Sequence, residues 1–312
     1  MIRHFDWRDV NLVNHLSEQG VCMDSITRLT RENQPLQNAL LAYLMPGAGA
    51  PTLIWKDNGH SGFGQLRHRL GDEVARALFI APAWSEHNPA WLPLVDRLAH
   101  EAGSRGGHHL IAEVDETSGE FDALRLAGFA IYARQTVWRL TDETPIPTTP
   151  LLLRPAASTD SIALSTLYTN LVPRLVQQVE PPPRPGQGYV FERDGEVIAF
   201  LDVQRGPVGI WVEPYIHPEA YDVTDQVLNS ALHTLSSATR AERPVYVCVR
   251  RYQDWLQDIL QAANFEYLGS QAVMVKRLVA RVTGQLRPLP ALEGTVTSST
   301  PFVRSKIDVY EN

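Results

Sequence analysis

The sequence predicts an α/β protein made of two tandem copies of one unit, each a mixed, mostly antiparallel sheet flanked by helices. Two observations carry this. The first is a repeat: Gly59/Gly195, Asp122/Asp258, Leu124/Leu260, Ala127/Ala263, Phe129/Phe265, Gln135/Gln271 and Val137/Val273 all share an offset of 136. One register held over that distance is the mark of a duplication. The second is a common order of elements, with strand-like and helix-like patterns alternating as a sheet with helices on its faces requires.

Taken in order, each half opens with an apolar strand-like stretch and a polar cap, RHFDWRDVNLVNHL in the first and LLLRPAASTDSIALSTLY in the second. A helical region and a loop rich in Gly and Pro follow (46–51 and 181–188). Asn58-Gly59 and Asp194-Gly195 then sit between apolar runs and predict tight hairpins, because such turns need φ > 0 at both central positions. A third strand is expected at 74–81 and at 208–212. The next helix is clearest in the second half, where Val223, Val227, Leu228, Ala231, Leu232 and Leu235 line one face, with Asp222 and Asp225 as its cap. Alternating, β-branched runs at 108–114 and 245–250 predict strands. A helix at about 119–127 and 253–263 and a closing hairpin, GFAIYARQTVWRL or NFEYLGSQAVMVKRL, complete each unit. The expected organisation is a first domain at 1–141, a Pro/Thr-rich linker at 142–150, a second domain at 151–280 and a Thr/Ser/Pro-rich tail at 281–312.

Composition narrows the function classes. A hydrophobic fraction of 44% and a charged fraction of 20% are those of a globular protein, and a net charge of −7 with no Lys/Arg block argues against nucleic acid or an anionic membrane as partner. Only two cysteines occur, Cys22 and Cys248, in different halves, which excludes a disulfide framework and fits a reducing cytoplasm. His108-His109 and the scattered histidines lack metal-ligand spacing, so no metal is expected. The opening MIRHFDWRDV carries no apolar core, and no run of about 18 apolar residues occurs, so a soluble cytoplasmic protein is expected.

Ile2-Arg3 with Asp9 and Leu153-Arg154-Pro155 with Asp160 open the two halves. Ala127-Gly128-Phe129 and Ala263-Asn264-Phe265 lead into their endings, each finishing on Arg-Leu. On these residues each half resembles the GNAT superfamily of acyl-CoA-dependent N-acyltransferases, over nearly all of 1–280. The resemblance implies a V-shaped opening between two central strands that receives the acyl-CoA, with acetyl-CoA as cofactor and a small-molecule or peptide amine as acceptor. In such a site a carboxylate or water chain takes the amine proton, a backbone N–H polarises the thioester and a tyrosine protonates the leaving thiolate. The pyrophosphate sits on a glycine-rich turn opening a helix.

The middle of each half departs from that pattern. The expected turns, 81–90 and 213–222, contain no glycine; Pro89 and Pro218 each lack an N–H, and Glu86, Glu219, Asp222 and Asp225 put negative charge where phosphate would lie. One such contact at ~4.5 Å and an effective dielectric near 20 costs about 3–4 kcal/mol before screening. The family's tyrosine is Leu124 or Leu260 here, and its asparagine is Thr117 or Gln253.

Two hypotheses follow. In the first, at most one copy, the second, is an N-acyltransferase: Ile210, Trp211 and Val212 offer backbone hydrogen bonds to the cofactor, Arg250 meets a phosphate, Glu213 is the base and Tyr252 the acid, with Tyr215 and Tyr221 as alternatives. Each also has a structural reading, as strand-end charge or aromatic packing, and Cys248, Trp84 and Trp91 read as core. In the second, both copies have lost the cofactor and serve as a scaffold or small-molecule-binding module.

Overall fold

The computed structural model describes residues 1–32, 34–45, 49–69, 71–141, 152–186, 188–237 and 243–278. The expected linker at 142–150 and tail at 281–312 lie outside the described residues. The described residues fall within one unit, Met1–Ala280.

The first copy runs β1 (Ile2–His4), α1 (Val10–Ser17), β2 (Val21–Cys22), α2 (Ser25–Thr30), α3 (Pro35–Leu44), β3 (Thr52–Asp57), β4 (His60–Arg67), β5 (Val74–Ala81), α4 (Trp91–Ser104), β6 (His109–Val114), α5 (Gly119–Leu126) and β7 (Ala130–Leu140). The second runs β8 (Arg154–Pro155), α6 (Ser161–Leu171), α7 (Arg174–Gln177), β9 (Tyr189–Arg193), β10 (Glu196–Arg205), β11 (Ile210–Ile216), α8 (Thr224–Ser237), β12 (Val245–Arg250), α9 (Leu256–Ala262) and β13 (Phe265–Arg277).

Local chemistry explains the elements that the sequence made legible. Both hairpin turns take φ > 0 at both central residues, 44° and 81° at Asn58-Gly59 and 52° and 84° at Asp194-Gly195, which matches the twist of the flanking strands. Both copies are pinned at their start by a bidentate ion pair six residues apart. Arg3 reaches Asp9 at 2.5 and 2.8 Å, and Arg154 reaches Asp160 at 2.8 and 2.9 Å. The second oxygen of each aspartate also caps a backbone N–H, that of Asp6 or Ala157. On α8 the anticipated face is buried at Val227, Leu228, Ala231, Leu232 and Leu235. Asp222 is not its cap: that carboxylate pairs with Arg193 at 2.9 and 3.1 Å, and a 3-10 turn, Pro218–Val223, leads into the helix instead.

The strands form one sheet in the order β1-β3-β4-β5-β6-β13-β7-β12-β11-β10-β9-β8, with β2 pairing β5. The two copies have exchanged their last strands. β13 pairs with β6 of the first copy, β7 pairs with β12 of the second, and β7 and β13 pair with each other in the middle. The expected closing hairpins are therefore corrected to one long strand each. In NFEYLGSQ the strand is interrupted only by a bulge, in which Leu268 is left unpaired before Gly269 at φ 152°, and the second partner of each strand is the equivalent strand of the other copy. Gln135 lies directly opposite Gln271, so the pseudo-twofold axis of the repeat passes between residues 136 apart in sequence.

Helices cover both faces of the sheet. Residues of α4, α5, α8 and α9 fill the core on one side and residues of α1, α2, α3, α6 and α7 that on the other. The coverage crosses the repeat. Leu164, Leu167 and Val176 of the second copy pack on Ile111, Tyr132 and Val273, and Ile26 of the first copy packs on Trp211 and Cys248.

Candidate functional site

Each copy has one parallel strand pair, and each pair parts partway along. β5 is in register with β6 only at Val74–Arg76 opposite His109–Ile111, and β11 with β12 only at Ile210–Val212 opposite Val245–Val247. Beyond these points the strands separate into a V. Backbone groups on the separating edges must find partners, since a buried orphan costs about 1–3 kcal/mol.

In the first V the chain supplies them itself. β2 lies in the opening, with Val21 opposite Ile80 and Cys22 opposite Phe79. A bulge in β5 at Leu78 turns its carbonyl inward, where the Met23 N–H donates to it at 3.1 Å. The Met23 carbonyl accepts the Glu113 N–H of β6 at 2.9 Å, so one residue bridges both sides. Below it Ser25 donates its N–H to Glu113 Oε2 (2.8 Å) and its hydroxyl to Gln271 Oε1 (2.8 Å), while Arg76 holds Glu113 Oε1 at 2.9 Å.

In the second V a side chain does the same work. Gln253, fully buried, accepts the Ile216 N–H on Oε1 at 2.9 Å and donates Nε2 to the Pro214 carbonyl at 2.7 Å. The expected cofactor strand, Ile210, Trp211 and Val212, is the stretch still paired with β12, and the edge facing the opening starts further on, at Pro214 and Ile216. Ile210 and Val212 point into the core under α8 and α9, and Trp211 packs on Ile26 of the first copy.

Three of the sequence-selected residues do come together. Arg250, 3% exposed, donates Nε to Glu213 at 3.1 Å and Nη2 to both oxygens of Glu180 at 3.0 Å. Tyr252 packs at the edge of the same cluster, and its hydroxyl has no hydrogen-bond partner among the described residues. Burial pushes that hydroxyl far up, so it stays protonated. Arg250 is thus ion-paired inside the protein, with Nη1 left without a partner among the described residues. Glu180, which also accepts the Tyr132 hydroxyl, was not singled out by any motif; it follows α7 in an unpatterned stretch and meets Arg250 only through the fold. Although burial opposes its ionisation, the Arg250 and Arg76 guanidinia and Tyr132 hold its carboxyl below the usual range. Asp202, opposite Glu213 on β10, is pushed up to about 7 by burial and by the charge of Glu213. Burial also raises the Cys248 thiol well above its ordinary value, so it is a core side chain rather than a nucleophile. Tyr215 stacks on Phe200 and Tyr221 packs against Trp255.

The helix starts that would hold a diphosphate are filled or acidic. In the first copy Trp91 opens α4 fully buried, donates its indole N–H to the Pro82 carbonyl at 2.9 Å and meets Trp84 edge-on. In the second, Glu219 and Asp222 stand in the turn before α8, with Arg193 holding the Glu219 carbonyl and the Asp222 carboxylate. The residues of neither copy fit an acyl-CoA: both V edges are occupied by the chain, and the helix starts carry the buried Trp91 in one copy and Glu219 and Asp222 in the other.

What stays open is a cavity of about 210 Å³ at the mouth of the first V, walled by Cys22, Arg28, Glu113, Asp115, Glu120 and Gln271 among others.

Solved structures superpose on most of this chain. A GCN5-related N-acetyltransferase from Sphaerobacter thermophilus superposes with a TM-score of 0.53 at 11% identity, covering 89% of this chain and 95% of that one. A tandem GNAT protein from the clavulanic acid biosynthesis pathway gives a TM-score of 0.53 at 14% identity, covering 89% of this chain and 98% of its own. This is the tandem GNAT fold. No sequence-family profile and no curated protein matches the chain. Leu124 and Leu260, at the places of the tyrosine that the resemblance implies, are fully buried core. Among the described residues no helix is long and apolar enough to cross a membrane.

Proposed function

We propose that the chain is a non-catalytic GNAT-fold protein, a small-molecule-binding module in which neither copy takes an acyl-CoA. The observation that carries this reading is the occupation of both V openings by the chain itself, by Met23 in the first and by the Gln253 amide in the second. A cofactor arm would have to displace buried hydrogen bonds in either copy, and its diphosphate would meet the Trp91 side chain or the Glu219 and Asp222 carboxylates. With its two cysteines unpaired, Cys22 and Cys248, the protein suits a reducing compartment, and we place its action in the cytoplasm.

A second reading, an N-acyltransferase confined to the second copy, is favoured by the gathering of Glu213, Arg250, Tyr252 and Asp202 beside β11. One experiment separates the two. Calorimetric titration and thermal melts of the full chain with acetyl-CoA and CoA are expected to give no heat and no shift at millimolar ligand. Micromolar binding of either compound overturns the non-catalytic reading.

A further inference from the structure

We infer that the cavity at the mouth of the first V binds a small zwitterion of the amino-acid class. The inference rests on the reading of the chain as a small-molecule-binding module and names the class of molecule it binds.

The walls come from both copies: Cys22 and Arg28 from β2 and α2, Asp115 and Glu120 from the segment entering α5 and from α5 itself, Ser270 and Gln271 from the exchanged strand β13. The deciding group is Gln271. It is 8% exposed, and its Oε1 is doubly occupied, by the Ser25 hydroxyl at 2.8 Å and by Gln135 Nε2 at 2.9 Å. Its Nε2 has no partner among the described residues, and the residue forms part of the cavity wall. A nearly buried amide donor left over beside a cavity calls for an acceptor in that cavity. Two further donors on the same wall have no partner among the described residues, the Arg28 guanidinium and the Ser270 hydroxyl. A planar fork and an amide donor lining one cavity match a carboxylate, which accepts on two oxygens.

The same lining also carries groups of the opposite character. Asp115 uses Oδ1 to accept the Thr117 N–H and hydroxyl at 2.8 and 2.7 Å, and Glu120 uses Oε1 to accept the Trp84 N–H at 3.2 Å. One oxygen of each carboxylate is left for a ligand cation. The third carboxylate on the wall, Glu113, adds no free charge, because Arg76 and the Ser25 N–H take its two oxygens. A plain anion would meet Asp115 and Glu120, and a plain cation would meet Arg28. A molecule with both charges satisfies both sets of groups. The volume of about 210 Å³ lies below the ~300–1,000 Å³ of drug-sized sites and suits a molecule of amino-acid dimensions.

The test is a thermal-shift and calorimetric screen of the full chain against the common L-amino acids at millimolar concentration, with acetate and methylamine as single-charge controls. At least one amino acid is expected to raise Tm in a dose-dependent way while both controls leave it unchanged. Arg28→Gln is expected to weaken that binding roughly ten- to hundredfold, and Glu120→Gln to do the same from the cationic end. Arg28 is exposed and gives up no bond among the described residues, and Glu120→Gln keeps the Oε1 that accepts the Trp84 N–H, so the ligand-free urea midpoint of each variant should match the parent and separate lost binding from lost fold. Arg8→Gln, outside the cavity, should bind as the parent does. Silence across the amino acids, equal binding of acetate or methylamine, or indifference to Arg28→Gln overturns the inference. Acetyl-CoA is run beside the panel, so failure of the wider reading (acetyl-CoA binds) and failure of this one (no amino acid binds) are read separately.

Discussion

Asp202 and Glu213 are directly opposite each other on β10 and β11, but only Glu213 has a cation, Arg250. Asp202 makes no hydrogen bond among the described residues, and burial together with the Glu213 charge moves its carboxyl up to about 7. The native state therefore holds the Asp202 proton at pH values where the unfolded chain, with an ordinary aspartate near 3.9, has released it. Its relative contribution to stability is complete below about pH 4 and is lost as pH rises through about 7. Asp202→Asn should consequently stabilise the protein more at pH 8 than at pH 5, by roughly 2–4 kcal/mol. Urea unfolding of parent and variant at the two pH values reads this difference directly, and parallel curves would remove Asp202 from the account. Nothing in the sequence around Asp202 marks it, because its partner lies across a strand pair. Glu213, Arg250 and Tyr252 were legible as residues near the end of a central strand, but their company, Glu180 and Tyr132, was not.

At the scale of elements, β2 has the largest consequence for its size. Two residues show no periodicity, so the segment reads only as part of a helical region, yet it closes the first V. Its role predicts a sharp substitution effect. Met23→Pro removes the N–H given to Leu78 and should cost roughly 2–4 kcal/mol, whereas Met23→Leu, which keeps the backbone, should cost much less. Amide exchange offers a specific check: the Glu113 N–H, which donates to the Met23 carbonyl, should lose protection in the proline variant. Unchanged exchange at Glu113 would mean that β2 does not seal the opening. The hairpins at Asn58-Gly59 and Asp194-Gly195 are the opposite case, since a two-residue signal and the φ > 0 requirement suffice to place four strands.

For the whole molecule, the exchange of β7 and β13 makes the two copies interdependent. A fragment 1–141 would keep β7 but lack the β13 that covers β6, and a fragment 151–280 would lack the β7 that covers β12. Each would uncover one edge of its sheet and leave its own last strand without either partner. The full chain is expected to unfold in urea as one cooperative transition by fluorescence and circular dichroism alike. The separate fragments should be unfolded or aggregated, and co-expression should restore a soluble pair. Two independent transitions in the full chain, or a folded monomeric fragment, would contradict that interdependence. The polar chain Cys248–Gln135–Gln271–Ser25 crosses the same seam and ties the second V to the first.

By itself the sequence determined the duplication, the hairpins, the amphipathic α8, the paired Arg–Asp starts and the absence of a glycine turn, because each is written in neighbouring residues or in a constant offset. Only the tertiary structure decided which copy owns each final strand, what lies in the two V openings and where a cavity is left. Those outcomes depend on partners far apart in the chain: Met23 between Leu78 and Glu113, Gln253 on Pro214 and Ile216, Gln271 and Arg28 lining one cavity. A side chain's own pattern specifies the face it presents, but a buried donor takes its acceptor from whatever backbone the fold brings within reach.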